Sequence, residues 1–171
     1  LAIQLIGGYL ELEPFNTIAE TLEALRKNSI EDAALGQDIA QQSAKSAFEL
    51  SWDQLSTEAR CLGCLLSLFA PAPVPWRLVV DAVKSIDDIG NLRAARPNLL
   101  RSHLLKQVNR ETVQVHRLLR EFFRGKIEAI DPKETFSRGV CRAVVSAASA
   151  ISDNPLKQDI LAFSDVSLHA E

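Results

Sequence analysis

The hydrophobic period changes at His116, and no other stretch limits the fold as much. Val113 and Val115 flank Gln114, the alternation of a half-buried strand. From Leu118 onward, Leu118, Leu119, Phe122, Phe123 and Ile127 recur at helical spacing. Any fold for this chain must set a strand end against a helix start, with His116 at the joint. There the imidazole can face a ligand or fill a core as an ordinary structural histidine. Arg117, Arg120 and Arg124 fall on a second face of the same helix. That face is expected to be solvated and partly paired with Glu121 and Glu128, or to meet another domain.

Composition narrows the class. The chain has 171 residues, enough for one domain or two small ones. Lys and Arg total 19 against 22 for Asp and Glu, a net charge of −3, so nothing in the balance draws the chain to nucleic acid or anionic lipid. Hydrophobic content of 47% argues against disorder. No apolar run approaches the roughly 18 residues of a membrane span, and the N-terminus is not built like a signal peptide. The chain opens at Leu1 in the middle of an apolar helical pattern and is expected to be a piece of something longer.

Cys61 and Cys64 form a C-x-x-C inside an apolar helical run, without the preceding strand of a redox motif and without two further zinc ligands nearby. They are expected to be buried, reduced thiols, which fits a cytoplasmic location.

Punctuation divides the remainder. Helices are expected over Leu1–Leu12, with Gly7-Gly8 as a close-approach point, over Phe15–Lys27, and over Ile39–Leu50. Ser56 is placed to cap a helix beginning Thr57-Glu58-Ala59 that stays apolar on nearly every side to Phe69. Pro71, Pro73 and Pro75 turn the chain into a short helix, Trp76–Val83. Pro97 is expected to split the next segment into a helix ending near Ala95 and a second over Pro97–Ser102. Leu104–Val108 and Thr112–Val115 form a hairpin around Asn109-Arg110-Glu111. After Asp131-Pro132, Lys133–Ile151 reads as a helix with the small face Ala143, Ala147 and Ala150, followed beyond Asn154-Pro155 by another from Leu156. The expectation is a mainly α protein. A partial helical subdomain over 1–51 precedes a winged-helix domain over 52–130 with a two-stranded hairpin. An α-hairpin that opens a helical array follows over 131–171.

The octapeptide Val-His-Arg-Leu-Leu-Arg-Glu-Phe, Val115 to Phe122, resembles the end of the winged-helix subdomain in the NB-ARC family, the switch ATPases of signal transduction. That family ends the subdomain in a Met-His-Asp motif whose histidine contacts bound ADP. Val115, His116 and Arg117 stand at those positions: the histidine matches and Arg117 replaces the acid. Leu1-Ala2-Ile3 is similar to the tail of the family's Gly-Leu-Pro-Leu-Ala motif, and Ser51 to Leu55 to the segment that leads into its winged helix.

The resemblance implies a regulatory and oligomerisation fragment that couples the ADP/ATP state to a conformational switch. His116 and Arg117 would sense the phosphates of ADP in the parent protein. The nucleotide-binding domain of the same parent chain would be the partner, the parent could assemble into an oligomer, and tetratricopeptide repeats would follow. No Gly-x-x-x-x-Gly-Lys-Ser/Thr loop occurs in the 171 residues, so the fragment alone is expected not to be an enzyme and to hold no nucleotide.

Two other classes compete. A winged helix can bind DNA, and Arg93, Arg96 and Arg101 fall on the segment that would be its recognition helix. The net negative charge, and a wing carrying only Lys106 and Arg110, argue against it. For an enzyme, no nucleophile–base, paired-carboxylate or metal-ligand spacing stands out, and His103 and His169 read as surface or half-buried histidines.

Overall fold

The fold is taken from a computed structural model, which describes residues 17, 19, 20, 23, 39–84, 86 and 92–150. The expected helices Leu1–Leu12 and from Leu156 onward lie outside these residues, as does most of Phe15–Lys27. Thr17 and Glu20 still mark a helix start. The Thr17 hydroxyl accepts from the Glu20 N–H (3.2 Å) while the Glu20 carboxylate accepts from the Thr17 N–H (2.7 Å), a reciprocal capping box.

The described elements run α1 (Ile39–Asp53), α2 (Thr57–Leu68), β1 (Val74–Pro75), α3 (Trp76–Val83), α4 (Leu92–Arg101), β2 (Lys106–Asn109), β3 (Thr112–Gln114), α5 (Arg117–Ile130) and α6 (Thr135–Ser149). The described residues are mainly α with one small sheet. From α2 to β3 the order helix, strand, helix, helix, strand, strand is that of a winged helix.

Helix α2 is the centre. Ser56 caps it through its hydroxyl, which accepts from the Ala59 N–H at 3.3 Å, and every residue from Cys61 to Ser67 is buried. Helices α4, α5 and α6 all pack on it. At Gly63 a Cβ would lie 3.0 Å from the Phe123 ring, so glycine lets α5 approach.

The sheet has three antiparallel strands in the order β1-β3-β2, one more than the expected hairpin. Val74 pairs with Val113 and Pro75 with Thr112. Pro75 is tolerated because β1 is an edge strand and needs no further donor there. The Trp76 N–H then donates to Glu111 O at 2.6 Å, which ties the start of α3 to the wing.

Pro97 does not split α4. The proline forfeits its own N–H in the second turn, and its ring sits on the exposed side. Ala95 and Leu99, fully buried on the opposite face, hold the helix through it. The helix ends in a Schellman motif: Leu104 N–H donates to Leu99 O (3.0 Å), and His103 N–H to Leu100 O (3.2 Å). His103 takes the left-handed position of that motif, with φ 54°.

An aromatic cluster joins α1 to α5. Ring centroids lie 5.6 Å apart for Phe48–Phe122, 5.8 Å for Trp52–Phe122 and 5.9 Å for Trp52–Phe123. Lys126 adds an ion pair to Glu49 at 2.8 Å. Leu118, expected on the apolar stripe of α5, is 38% exposed instead.

Helix α6 begins where Asp131 accepts from Thr135 N–H (2.9 Å), Thr135 hydroxyl (2.6 Å) and Phe136 N–H (2.6 Å). Gly139 then lets it cross α3 closely, since a Cβ there would stand 2.7 Å from Ala82 O. Phe136, Val140, Ala143 and Val144 enter the same core as Phe48, Trp52 and α2. The division expected at 51/52 therefore falls inside α1, and the one expected at 130/131 crosses a shared core. Ala150, expected on the small face of α6, is exposed. Among the described residues no helix is long and apolar enough to cross a membrane.

Candidate functional site

His116 is the N-cap of α5. Its backbone is extended (φ −63°, ψ 143°), and its own ring supplies the cap: Nδ1 accepts from the Leu118 N–H at 3.3 Å. A helix start leaves its first N–H groups without partners, and a short acceptor side chain at this position satisfies one of them. With Arg at position 117 the helix start is still capped, because the histidine does that work. The side chain is exposed and does not enter the core. With Nδ1 acting as acceptor, the neutral ring carries its proton on Nε2, which makes Nε2 a donor.

Arg117 is also exposed, and its guanidinium pairs with Glu121 at 3.4 Å. The two other arginines of the expected solvated face behave differently. Arg120 is buried at 8% exposure. Its Nε and Nη2 donate to Ser67 O at 3.1 and 3.0 Å, and Nη2 also donates to Phe69 O. Arg124 Nε donates to Ser67 O at 3.1 Å. Both guanidiniums thus close the C-terminus of α2, which has no glycine to turn its last carbonyls back on themselves. Desolvation and the neighbouring Arg124 charge lower the Arg120 pKa from its ordinary value. Charged guanidinium against the carbonyl end of a helix offsets that cost.

Arg117, Arg120, Glu121 and Arg124 line a shallow cavity of about 350 Å³ with Pro71. Three cations against one carboxylate give it a positive wall. His116 is not in that wall; it stands one residue before Arg117.

The remaining expected sites separate. Cys61 and Cys64 are buried free thiols; burial, reinforced by Cys61 and Asp131, pushes the Cys64 pKa up to about 12, and its Sγ donates to Phe123 O at 3.5 Å. Cys141 is exposed. Arg96 of the possible recognition helix stacks 4.4 Å over the Trp76 ring and donates to Arg110 O at 3.4 Å, so it braces α4 against the wing. His169 lies outside the described residues. Among the described residues no three or more His, Cys, Asp and Glu side chains gather where they could hold a metal.

Sequence reasoning missed Arg120 and Asp131. The signals were present: no glycine follows Leu68, and Arg120 lies three residues before Phe123 on the buried stripe. Asp131, four residues ahead of Thr135, sits before a helix start.

No protein-family model matches the chain, and neither does any curated protein or solved structure.

Proposed function

We propose that the chain is the regulatory, winged-helix part of an NB-ARC-type signalling ATPase, in which His116 and Arg117 read the phosphates of ADP. The observation that carries this reading is the state of His116. It is exposed at a strand-to-helix joint, its Nδ1 is taken by the Leu118 N–H, and its Nε2 is left as a donor. The positive wall that begins at Arg117 is the right charge for a phosphate. ADP or ATP would be held by a nucleotide-binding domain elsewhere in the parent, a slow ATPase working in the cytoplasm and able to assemble into oligomers. The winged helix would swing when ATP replaces ADP, driven by its differential affinity for the two states.

The test separates the cap from the sensor. His116→Asn keeps a good N-cap acceptor and loses the Nε2 donor. In the full-length parent protein, ADP retained through purification should fall for His116→Asn as much as for His116→Ala, while the melting temperature of His116→Asn stays near wild type. A hydrogen bond to a charged group contributes about 1.5–3 kcal/mol, so ADP release should speed by roughly 10- to 150-fold. Equal ADP retention in all three proteins overturns the reading. A parent sequence with no Gly-Lys-Ser/Thr loop on a strand-to-helix turn upstream of Leu1 overturns it as well.

A second reading, DNA binding, is favoured by the completed winged-helix order and by the exposed Arg101, Lys106 and Arg110. Salt-dependent association with duplex DNA would support it over the first.

A further inference from the structure

A cavity of about 730 Å³ opens where the end of α1, the start of α2, the end of α5 and the start of α6 meet. Its volume lies in the range of sites for small organic ligands. Ile130, Pro132 and the small exposed parts of Trp52 and Phe136 contribute apolar wall, and Arg60, Lys126 and Lys133 contribute cations, with the Arg60 guanidinium 5.4 Å and the Lys126 ammonium 5.9 Å from the Trp52 ring centroid. The carboxylate in the wall, Asp131, is already taken by three donors at the start of α6. Lys126 has a carboxylate partner in Glu49. Arg60 has none among the described residues: its Nε donates to Trp52 O and its Nη2 to Asp53 O, both at 3.0 Å. Lys133 is exposed and makes no ion pair among the described residues. The wall thus gathers more cationic than anionic charge beside an apolar surface.

We infer that this cavity binds a small organic anion, with an acidic group held by Arg60, Lys126 and Lys133 and an apolar body against Ile130, Pro132 and the parts of Trp52 and Phe136 that reach the wall. Charge-assisted contacts orient the acid, and the apolar part of the wall takes the ligand's body out of water. The inference is independent of nucleotide sensing, because neither His116 nor Arg117 lies in the wall. Such a ligand would touch four helices at once, so it would stabilise the folded chain by mass action.

The experiment is calorimetric titration of the whole chain with three probes: naphthalene-1-sulfonate, the neutral 1-naphthalenemethanol, and inorganic sulfate. Naphthalene-1-sulfonate should bind at one site and raise the melting temperature, and each of the other two probes should bind at least about tenfold more weakly, the loss of one class of contact. Lys133→Glu, whose side chain makes no hydrogen bond or ion pair among the described residues, should weaken the sulfonate by about tenfold or more, and Lys106→Glu on β2 should leave it unchanged. Equal binding of the neutral alcohol, an unchanged affinity in Lys133→Glu, or no binding of the sulfonate at millimolar concentration overturns the inference.

Discussion

Arg120, on α5, donates through two guanidinium nitrogens to the carbonyl oxygen of Ser67 on α2, at 3.0 and 3.1 Å, across 53 residues of sequence. The contact turns an arginine that reads as a solvated charge into the closure of the central helix. Arg120→Met keeps much of the side-chain volume and removes the donors. It should lower stability by about 1.5–3 kcal/mol, the range for a hydrogen bond to a charged group. Arg124→Met should cost less, because Arg124 is exposed, and Arg117→Met should change stability by about 0.5 kcal/mol or less. Urea denaturation of the three variants checks the order, and equal losses at all three positions contradict the distinction.

Leu66 is 1% exposed in the middle of α2. Leu66→Ala should cost about 2–5 kcal/mol, the lost transfer energy plus the cavity left behind. Gln107→Ala, on the exposed outer strand β2, should stay within about 0.5 kcal/mol. Thermal melts showing comparable losses would mean that α2 is not the centre of the core.

His103 holds φ at 54° in the turn that ends α4. The left-handed region costs a residue with a Cβ about 1–2 kcal/mol, and glycine pays little of it. Its imidazole is exposed and makes no hydrogen bond among the described residues. His103→Gly should therefore stabilise the protein by roughly 0.5–1 kcal/mol. A destabilised His103→Gly in calorimetry would show that the histidine ring has a role in the fold.

Asp131 sets the pH dependence. Burial raises its pKa, but the Thr135 hydroxyl, the Phe136 and Thr135 N–H groups and the Arg138 charge outweigh burial and hold it below the usual carboxylate value. A carboxylate whose folded pKa is depressed contributes stability above its unfolded pKa of about 3.9, and that contribution is lost as pH falls through the folded value. Asp131→Ala should cost about 1–2 kcal/mol at pH 7, as loss of an N-cap does. The gap between wild type and Asp131→Ala should narrow as pH falls from about 4 toward 2, and denaturation at several pH values reads it directly. A gap that widens on acidification has the wrong sign for this cap.

Most of the element order was legible, because it rests on local signals. Ser56 announced α2, the prolines announced the turn before α3, and the change of period at His116 announced α5. Three features were not legible, each because tertiary contact outweighs local preference. Pro97 predicts a break, yet burial of Ala95 and Leu99 carries α4 through it. Val74–Pro75 is too short to announce a strand and exists by pairing with β3. The arginine triplet reads as one face, yet only the position of α2 decides that Arg120 and Arg124 are occupied while Arg117 faces water. Of the candidate site, the strand-to-helix joint at His116 was visible. The capping use of its ring was not, since histidine is an uncommon cap.

Two helices of this protein share one way of ending. Arg60 donates to the last turn of α1 at Trp52 and Asp53, and Arg120 with Arg124 does the same for α2. For α2 the donors are encoded more than fifty residues later. During synthesis, a nascent chain that has emerged only as far as the wing carries α2 with those carbonyls still hydrated. The C-terminus of the central helix gains its side-chain donors only when the second of those arginines has left the ribosome.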